Sequence, residues 1–425
     1  MLKHFIHWSL GVLTRCIIKK YRPRIVAITG SVGKTSAKAA VAAVLRQRFR
    51  VGFSEKNFNN ELGVPLTVLQ CDAPGRSPLA WVGVYVRGLW LLCANDPLFP
   101  QVLVLEMGAD HPGDIAHLMK IAPPDIGIVT AVSAAHTEFF GSVADVLNEK
   151  KRLVVNLPAD KLAIINADDP LLVGIIPEIT AHYISFGGAD QATVRSRAIQ
   201  LSYTDDGRLL GTEARVVCGD EEFDISIPGV AGEPVVNAAL VGAAVGNAMK
   251  LSNTDIQNGL MHFCPPAGRM TILGGIKKSL IIDDTYNSSP RAAEAALRAL
   301  ANISGVLRRI AVLGDMRELG ALTESMHREI GRLVFELGID LLVTVGASAR
   351  FIADEARTKG MSEDSIFSFD ASPEAGMFVQ ERMHEGDLIL VKGSQGVRCE
   401  KIVKEIMADP LQAEKLLVRQ DPTWI

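Results

Sequence analysis

Residues 24–36 constrain the fold of this chain more than any other segment. An apolar run, RIVAIT, is followed directly by GSVGKTS, which places a glycine-rich turn between a buried strand and a helix. In that position the backbone N–H groups and the helix N-terminus can hold phosphate oxygens, Lys34 can reach the terminal phosphates and Thr35 can bind Mg²⁺. The pattern predicts an ATP-binding loop made of Gly30, Ser31, Val32, Gly33, Lys34, Thr35 and Ser36.

The spacing inside this loop narrows the prediction. Only Ser31 and Val32 separate Gly30 from Gly33, whereas a standard phosphate-binding loop has a longer spacer before its Gly-Lys pair. The alternative is a glycine turn with an incidental lysine, and the strand-to-helix context disfavours it. We therefore expect the short form of the loop.

Apolar runs separated by helical segments continue beyond the loop. Runs of this kind indicate a parallel sheet that is covered on both faces. Between about residues 190 and 230 the pattern changes to short alternating segments with a turn at 205–207, which predicts an antiparallel ribbon appended to that sheet. The apolar runs lie at 102–108, 125–132, 161–169 and 179–187.

A second strand-and-helix series follows an alanine-rich helix predicted at 235–249 and the proline pair Pro265-Pro266. A chain of 425 residues is too long for one typical core, so we expect an α/β protein with a P-loop-type, mostly parallel central sheet and a smaller Rossmann-like domain. The predicted segments are an apolar and basic N-terminal helix at 1–23, the central ATP-binding domain at 24–264 and the C-terminal domain at 265–425.

Composition excludes several classes of protein. The net charge of -4 argues against a dedicated nucleic-acid binder. The six cysteines lie far apart without the spacing of a zinc site or a disulfide framework, so the reducing cytoplasm is the expected location.

Two apolar segments fit the α/β pattern less well. Residues 5–18 are mostly apolar and are followed by a basic stretch, and residues 79–92 contain two tryptophans, a tyrosine and one arginine. Both segments are short for a bilayer span, so one interpretation is peripheral contact of residues 1–24 and 79–92 with the inner face of the membrane. The alternative interpretation, with equal weight, is that both segments form helices packed on the ATPase core or on another protein.

Further motifs test whether the loop belongs to a known family. They are NFNNELGVP at 57–65, EMGA at 106–109, HPG at 111–113, DDTYN at 283–287 with Pro290, LGDM at 313–316 with ELG at 318–320, and KGS at 392–394. Together with the short loop, these motifs resemble the Mur ligase superfamily over about residues 24 to 408. The resemblance implies an ATP-dependent amide ligase that phosphorylates a carboxylate and couples it to an amine. Within the superfamily, the motifs are most similar to enzymes that add D-alanyl-D-alanine to a muramoyl-tripeptide in peptidoglycan precursor synthesis.

The resemblance also implies two Mg²⁺ sites. Glu106, at the end of a buried strand, is expected to bind the first ion with Thr35, although a helix-capping role is the alternative for this acid. His136 is assigned to the second ion. Lys150 occupies the position where the family often carries a carbamylated lysine, and its alternative is an unmodified surface lysine. Neighbouring Lys151 leaves that register open.

For the nucleotide, the resemblance places Asn237 against the adenine, Asp284 on the ribose and Arg269 against the terminal phosphate. Pro234 stands where the family usually has histidine, so adenine recognition is expected to differ in detail. The implied catalytic residues are Lys34, His136, Lys150 and Arg269. The residues expected near the substrates are Asn59, Asn60, Asn287, Asp315, Lys392 and Ser394.

The carboxylate donor is the open part of the prediction. Relatives that use UDP-linked muropeptides carry a UDP-binding domain before the loop, whereas this chain has 29 residues before Gly30. The donor is therefore a muramoyl-tripeptide bound in another way, or a different acid such as a lipid-linked muropeptide, a poly-γ-glutamyl chain or a tetrapyrrole. A non-catalytic, nucleotide-responsive membrane scaffold is the remaining alternative, and the intact loop argues against it.

Overall fold

A computed structural model describes residues 2–54, 58–134, 137–204, 209–219 and 221–420. Two β-sheets, one of nine strands and one of six, organise these residues, and helices cover both. The predicted α/β class is confirmed.

The nine-stranded sheet contains the phosphate-binding loop. Its strand order is β2-β3-β1-β4-β5-β6-β7-β8-β9, with parallel pairs from β2 to β7 and antiparallel pairs in β7-β8-β9. The last three strands form the expected antiparallel ribbon, and the turn predicted at 205–207 lies outside the described residues. The strands are β1 (Arg24–Thr29), β2 (Val51–Phe53), β3 (Val102–Glu106), β4 (Ile126–Val129), β5 (Leu162–Asn166), β6 (His182–Gly187), β7 (Val194–Tyr203), β8 (Leu209–Cys218) and β9 (Glu221–Pro228).

Helices cover both faces of this sheet because successive strand residues point to opposite sides. In β1, Val26 and Ile28 join one hydrophobic cluster with α2, α10 and α11, whereas Ile25 and Ala27 join another with α1, α3, α4 and α5. The helices are α1 (Leu2–Tyr21), α2 (Lys34–Leu45), α3 (Gly63–Leu69), α4 (Pro78–Cys93), α5 (Asp114–Ile121), α6 (Thr137–Phe140), α7 (Val143–Lys150), α8 (Arg152–Val155), α9 (Pro170–Gly174), α10 (Glu233–Ala248) and α11 (Asn253–Met261).

The six-stranded sheet has the order β10-β11-β15-β12-β13-β14, and all of its pairs are parallel except β10-β11. Its strands are β10 (Thr271–Gly274), β11 (Leu280–Asp284), β12 (Arg308–Gly314), β13 (Leu341–Val345), β14 (Ile366–Phe369) and β15 (Asp387–Lys392). Its helices are α12 (Pro290–Asn302), α13 (Thr323–Glu336), α14 (Arg350–Lys359), α15 (Ser372–Arg382), α16 (Glu400–Ile406) and α17 (Ala413–Leu416). Short 3₁₀ turns occupy Ile176–Glu178, Ile276–Lys278, Gly320–Leu322, Glu363–Ser365, Gln395–Val397 and Pro410–Gln412.

Helices α10 and α12 join the two sheets. Both helices are rich in alanine, they contact each other, and one hydrophobic cluster includes residues from α10, α12 and both sheets. The predicted division at residues 23/24 and 264/265 stays a prediction.

The two apolar segments noted in the sequence form α1 and α4. One face of α4 is buried through Val84, Gly88 and Leu91, but Leu79 is 84% exposed and Val86 is 60% exposed. Neither a fully buried helix nor a spanning one is observed: across the described ranges, no helix has both the length and the apolar character needed to cross a bilayer.

Candidate functional site

The phosphate-binding loop has the backbone geometry that its two glycines permit. Gly33 has a φ of 87°, in the left-handed region, and serves as the N-cap of α2. A Cβ atom on Gly30 would lie 2.0 Å from the Thr130 hydroxyl, so a larger residue would displace β4 or the loop. The N-terminus of α2 is thereby left open toward the cleft, with Lys34 as its first residue.

A buried cluster of charges lies directly behind the loop. Glu106, at the end of β3, has one carboxylate oxygen 3.5 Å from the Thr35 hydroxyl and the other 3.4 Å from Lys38 Nζ. Lys34 Nζ donates to the Gly30 carbonyl at 2.6 Å. Burial lowers the pKa of both lysines, and the negative charge of Glu106 opposes that shift. Our sequence reasoning missed Lys38, although its position one helical turn after Lys34 was the available signal.

Lys150 and Lys151, which the sequence could not distinguish, have different surroundings. Lys151 pairs with Glu178 at 2.8 Å on the surface. Lys150 is 1% exposed, and burial, with a further contribution from the positive charge of Lys34, lowers its pKa to about 7. The negative charge of Asp110 opposes this shift. His136, expected beside Lys150, lies outside the described residues.

Arg269, just before β10 of the six-stranded sheet, reaches the phosphate-binding loop of the nine-stranded sheet. We call the parts built around these two sheets the two halves of the molecule. The Arg269 guanidinium donates to the Thr35 hydroxyl at 3.1 Å and lies over the Tyr286 ring, 4.2 Å from the ring centroid. Because Thr35 also lies beside Glu106, its hydroxyl connects a carboxylate and a guanidinium from two different sides of the cleft. The carboxylate belongs to the wall formed by the nine-stranded sheet, and the guanidinium belongs to the opposite wall, formed by the six-stranded sheet. Tyr286 was predicted only as part of the DDTYN motif, without a role of its own, and its stacking on Arg269 fixes the direction of that side chain.

The charges on the opposite wall are paired with each other. Lys392, at the end of β15, forms a 2.6 Å ion pair with Asp284, at the end of β11, and donates to the Asn287 carbonyl at 2.9 Å. The second Asp284 oxygen accepts from the Met270 amide at 3.2 Å. Adjacent parallel strands bring these side chains together, because β11 and β15 are neighbours and end at the same sheet edge.

Both walls enclose a cleft of about 1180 Å³. Asn60 and Asp315 do not line it: Asn60 accepts from the Gly63 amide at 2.9 Å, and Asp315 accepts from the Ala349 amide at 2.7 Å. Lys150 and Gly30 are also absent from its lining among the described residues. The predicted site residues that line the cleft are Ser31, Val32, Gly33, Lys34, Thr35, Ser36, Asn59, Glu106, Asn237, Arg269, Asp284, Asn287, Lys392 and Ser394.

Direct contacts tie the two halves together on either side of the cleft. Arg291 of α12 forms a 2.6 Å ion pair with buried Asp169, beside the end of β5. Elsewhere the Thr137 hydroxyl donates to the Leu319 carbonyl at 3.1 Å, and the Glu138 amide donates to the Glu318 carbonyl at 3.2 Å. The structure therefore shows the walls in contact, with Arg269 already at the loop.

A phosphate-binding loop facing a guanidinium from a second α/β unit defines a nucleotide-dependent enzyme with its active site between two halves. Comparison with known proteins agrees. Residues 92–246 match the Mur ligase middle domain, and residues 268–395 match the Mur ligase glutamate ligase domain. The chain belongs to the Mur ligase family and is accordingly an ATP-dependent, ADP-forming amide ligase.

Two similar curated proteins are both named UDP-N-acetylmuramoyl-tripeptide–D-alanyl-D-alanine ligase. That of Mycobacterium tuberculosis strain H37Rv is 30% identical over 404 residues, covering 91% of this chain and 73% of the relative. That of Bacillus subtilis is 29% identical over 404 residues, covering 95% and 80%.

Solved structures show the same likeness. MurF from Thermotoga maritima in complex with ADP has a TM-score of 0.77 and 26% identity, over 94% of this chain and 83% of that one. MurF from Acinetobacter baumannii has a TM-score of 0.78 and 25% identity, over 95% and 81%.

Proposed function

We propose that this chain joins D-alanyl-D-alanine to the terminal carboxylate of a UDP-linked muramoyl-tripeptide, with conversion of ATP to ADP and phosphate, in peptidoglycan precursor synthesis. The carrying observation is the convergence of Lys34, Thr35 and Glu106 with Arg269 at one point of the cleft. The substrates come from the name shared by the curated relatives. The proposed location is the cytoplasm, where six free cysteines stay reduced.

The proposed reaction follows from the negative charge that Lys34 and Arg269 can stabilise. A carboxylate oxygen of the donor attacks the γ-phosphorus of ATP and ADP departs, which leaves an acyl phosphate. The amine then attacks the acyl carbon, loses a proton, and the tetrahedral intermediate expels phosphate. Lys34 and Arg269 neutralise the oxygens of the transferring phosphoryl group. Closure of the two halves around the substrates would exclude water, which would otherwise hydrolyse the acyl phosphate.

Magnesium fits the residues beside the loop. The Thr35 hydroxyl and a Glu106 carboxylate oxygen lie 3.5 Å apart, and oxygen donors of this kind suit Mg²⁺ together with phosphate oxygens and water. The other Glu106 oxygen is buried and accepts no hydrogen bond from the residues that the structure describes, and Lys38 Nζ lies 3.4 Å from it as an ion-pair partner. When bound there, the ion supplies positive charge to the β- and γ-phosphate oxygens.

A second magnesium site at Lys150 and His136 is part of the proposal. A lysine amine must be neutral to react with CO₂, and burial lowers the pKa of Lys150 to about 7, which supports carbamylation there. We expect Lys150→Ala to lose turnover and to recover part of it when short carboxylic acids are added. Lys151→Ala is the matched control and retains full turnover. Full activity of Lys150→Ala would contradict the assignment.

The remaining roles follow the two walls. We assign Asn237 to the adenine and Asp284 to the ribose, since both line the cleft. Asn59, Asn287, Lys392 and Ser394 are assigned to the substrates on the same ground. The segments 24–264 and 265–425 are proposed as the two domains that carry these walls, and residues 1–24 and 79–92 as a peripheral membrane contact.

The decisive assay follows ADP release from the purified chain with ATP, Mg²⁺, UDP-muramoyl-tripeptide and D-alanyl-D-alanine. We expect release that requires both the muropeptide and the dipeptide, together with the pentapeptide product by mass spectrometry. Lys34→Ala serves as the inactive control. No ADP release with the UDP-linked donor, together with turnover of a lipid-linked muropeptide, would replace the proposed donor. ATP hydrolysis that is independent of any amine would overturn the ligase assignment for these substrates.

A further inference from the structure

Helices α1 and α4 pack side by side, in parallel, on the outside of the large sheet. The Ser9 hydroxyl lies 2.5 Å from the Tyr85 hydroxyl, and Leu13 packs so closely on Gly88 that a Cβ atom there would clash. Lys20 Nζ donates to the Leu91 carbonyl at 2.8 Å and so caps the end of α4. We call α1 and α4 together the helix pair.

The outer face of α4 is apolar, contrary to the usual pattern of a surface helix. Its inner face packs through Val84, Gly88 and Leu91. The solvent-facing side chains recur at three- and four-residue intervals and form one continuous stripe. The stripe consists of Leu79, Val82, Val86, Leu89 and Trp90.

The outer face of α1 changes character along its length. Phe5 and Trp8 are exposed near its start, and exposed cations follow at Arg15 and Lys19 toward its end. Neither helix contains an aspartate or a glutamate. Arg87, the single charged residue of α4, is paired with Asp96 at 2.9 Å and lies over Trp90. The helix pair thus offers apolar and aromatic surface beside uncompensated positive charge.

Building on the peripheral membrane contact included in the proposed function, we propose that the helix pair binds the surface of an anionic phospholipid bilayer. The stripe on α4, with Phe5 and Trp8, enters the interfacial region, while Arg15 and Lys19 contact lipid phosphates. The helices lie in the plane of the membrane and do not cross it. Self-association through the same face is disfavoured, because two copies would bring their cations together in helices that carry no acid.

This surface is separate from the ligase site. Among the described residues, no side chain of either helix lines the cleft. Lipid binding and ligase activity can therefore be measured independently, and the failure of one leaves the other standing.

The test uses the full chain and sedimentation with two kinds of vesicle, phosphatidylcholine alone and phosphatidylcholine mixed with phosphatidylglycerol. We expect binding to the mixed vesicles that weakens as salt screens the charges. Val86→Asp with Leu89→Asp is expected to weaken it by at least roughly tenfold, and Arg15→Glu with Lys19→Glu by about the same factor on anionic vesicles. Leu411→Asp, at a residue 93% exposed in the other half, and Lys401→Glu are the controls and bind like the unmodified chain.

Several results would overturn the proposal. One is absence of binding to the anionic vesicles, and another is binding that the helix-pair variants leave unchanged. A third is a dimer in solution that Val86→Asp with Leu89→Asp converts to monomer, which would make this face a subunit interface. All variants are expected to keep their ATPase rate and their circular dichroism, so loss of vesicle binding cannot be attributed to unfolding.

Discussion

The two walls of the cleft manage their buried charges differently. Behind the phosphate-binding loop, burial lowers the pKa of Lys34, Lys38 and Lys150, so the protonated, charged form of each lysine is disfavoured there. Across the cleft, Lys392 and Asp284 satisfy each other at 2.6 Å. The lysines of the first wall gain from an incoming polyanion, whereas the Lys392–Asp284 pair is already neutralised without a ligand. Substitution of Lys34 should therefore change activity more than stability, and breaking the Lys392–Asp284 pair should reduce stability.

Lys34→Met is expected to give the largest effect. Turnover falls by roughly a thousandfold or more, because an ammonium that neutralises the transferring phosphoryl group is lost. The free energy of unfolding stays the same or rises, since a buried charge is replaced by an apolar side chain of similar length. ADP release and urea unfolding measure the two quantities. A parallel loss of stability would break the comparison between the walls.

Asp284→Asn tests the second wall. The substitution leaves Lys392 buried without its carboxylate partner, and we expect the free energy of unfolding to fall by about 3 kcal/mol. Adding Lys392→Met to the same chain should restore most of that loss, because no unpaired charge remains. Urea unfolding of the two single variants and the double variant measures the coupling. Additive losses in the double variant would count against the pair.

Arg269→Ala should lower turnover by roughly a hundredfold. The guanidinium both donates to the Thr35 hydroxyl and stacks on Tyr286, so Arg269→Lys is expected to recover only part of the rate. Steady-state assays that separate kcat from KM for ATP check this. An effect confined to KM would mean that Arg269 binds the nucleotide but does not stabilise the transfer.

Lys150 gives the smallest expected effect, on the pH dependence of stability. Its pKa is about 7 in the folded chain and near 10.5 when unfolded, so between these values the unfolded state binds more protons and stability rises with pH. Lys150→Met should reduce this slope by about 1 kcal/mol per pH unit. Urea unfolding from about pH 7.5 to 9.5, inside the window between these two pKa values, measures the slope in CO₂-depleted buffer, where Lys150 stays uncarbamylated. Lys151→Met should leave the slope unchanged.

Contiguous patterns predicted the fold and the loop well. The run before Gly30 indicated β1, the alternating segment after residue 190 indicated the ribbon, and both are observed. Such features depend on local periodicity, which the sequence displays directly. The order of the strands does not depend on local periodicity, so the sequence did not reveal it. The ion pair between Arg291 and Asp169 was hidden for the same reason, because it joins residues far apart in the chain.

Residues with two local uses were the harder cases. Lys38 follows Lys34 by one turn, and in the sequence it resembles an ordinary surface lysine of a helix. Only the structure shows that β3 places Glu106 against it. Asn60 and Asp315 were expected near the substrates, yet each accepts a backbone amide near the start of a helix. Asparagine and aspartate are common in both roles, so residue type alone cannot separate a capping residue from a binding one.

The alanine-rich contact between α10 and α12 has a mechanical consequence. Large side chains interlock as ridges in grooves and resist displacement, whereas small ones present a nearly smooth surface. Packed helices can slide by small amounts along such a surface without exposing their apolar area. We therefore expect the contact between α10 and α12 to permit small shear movements of the two halves that widen the cleft, while the apolar cluster they share stays buried.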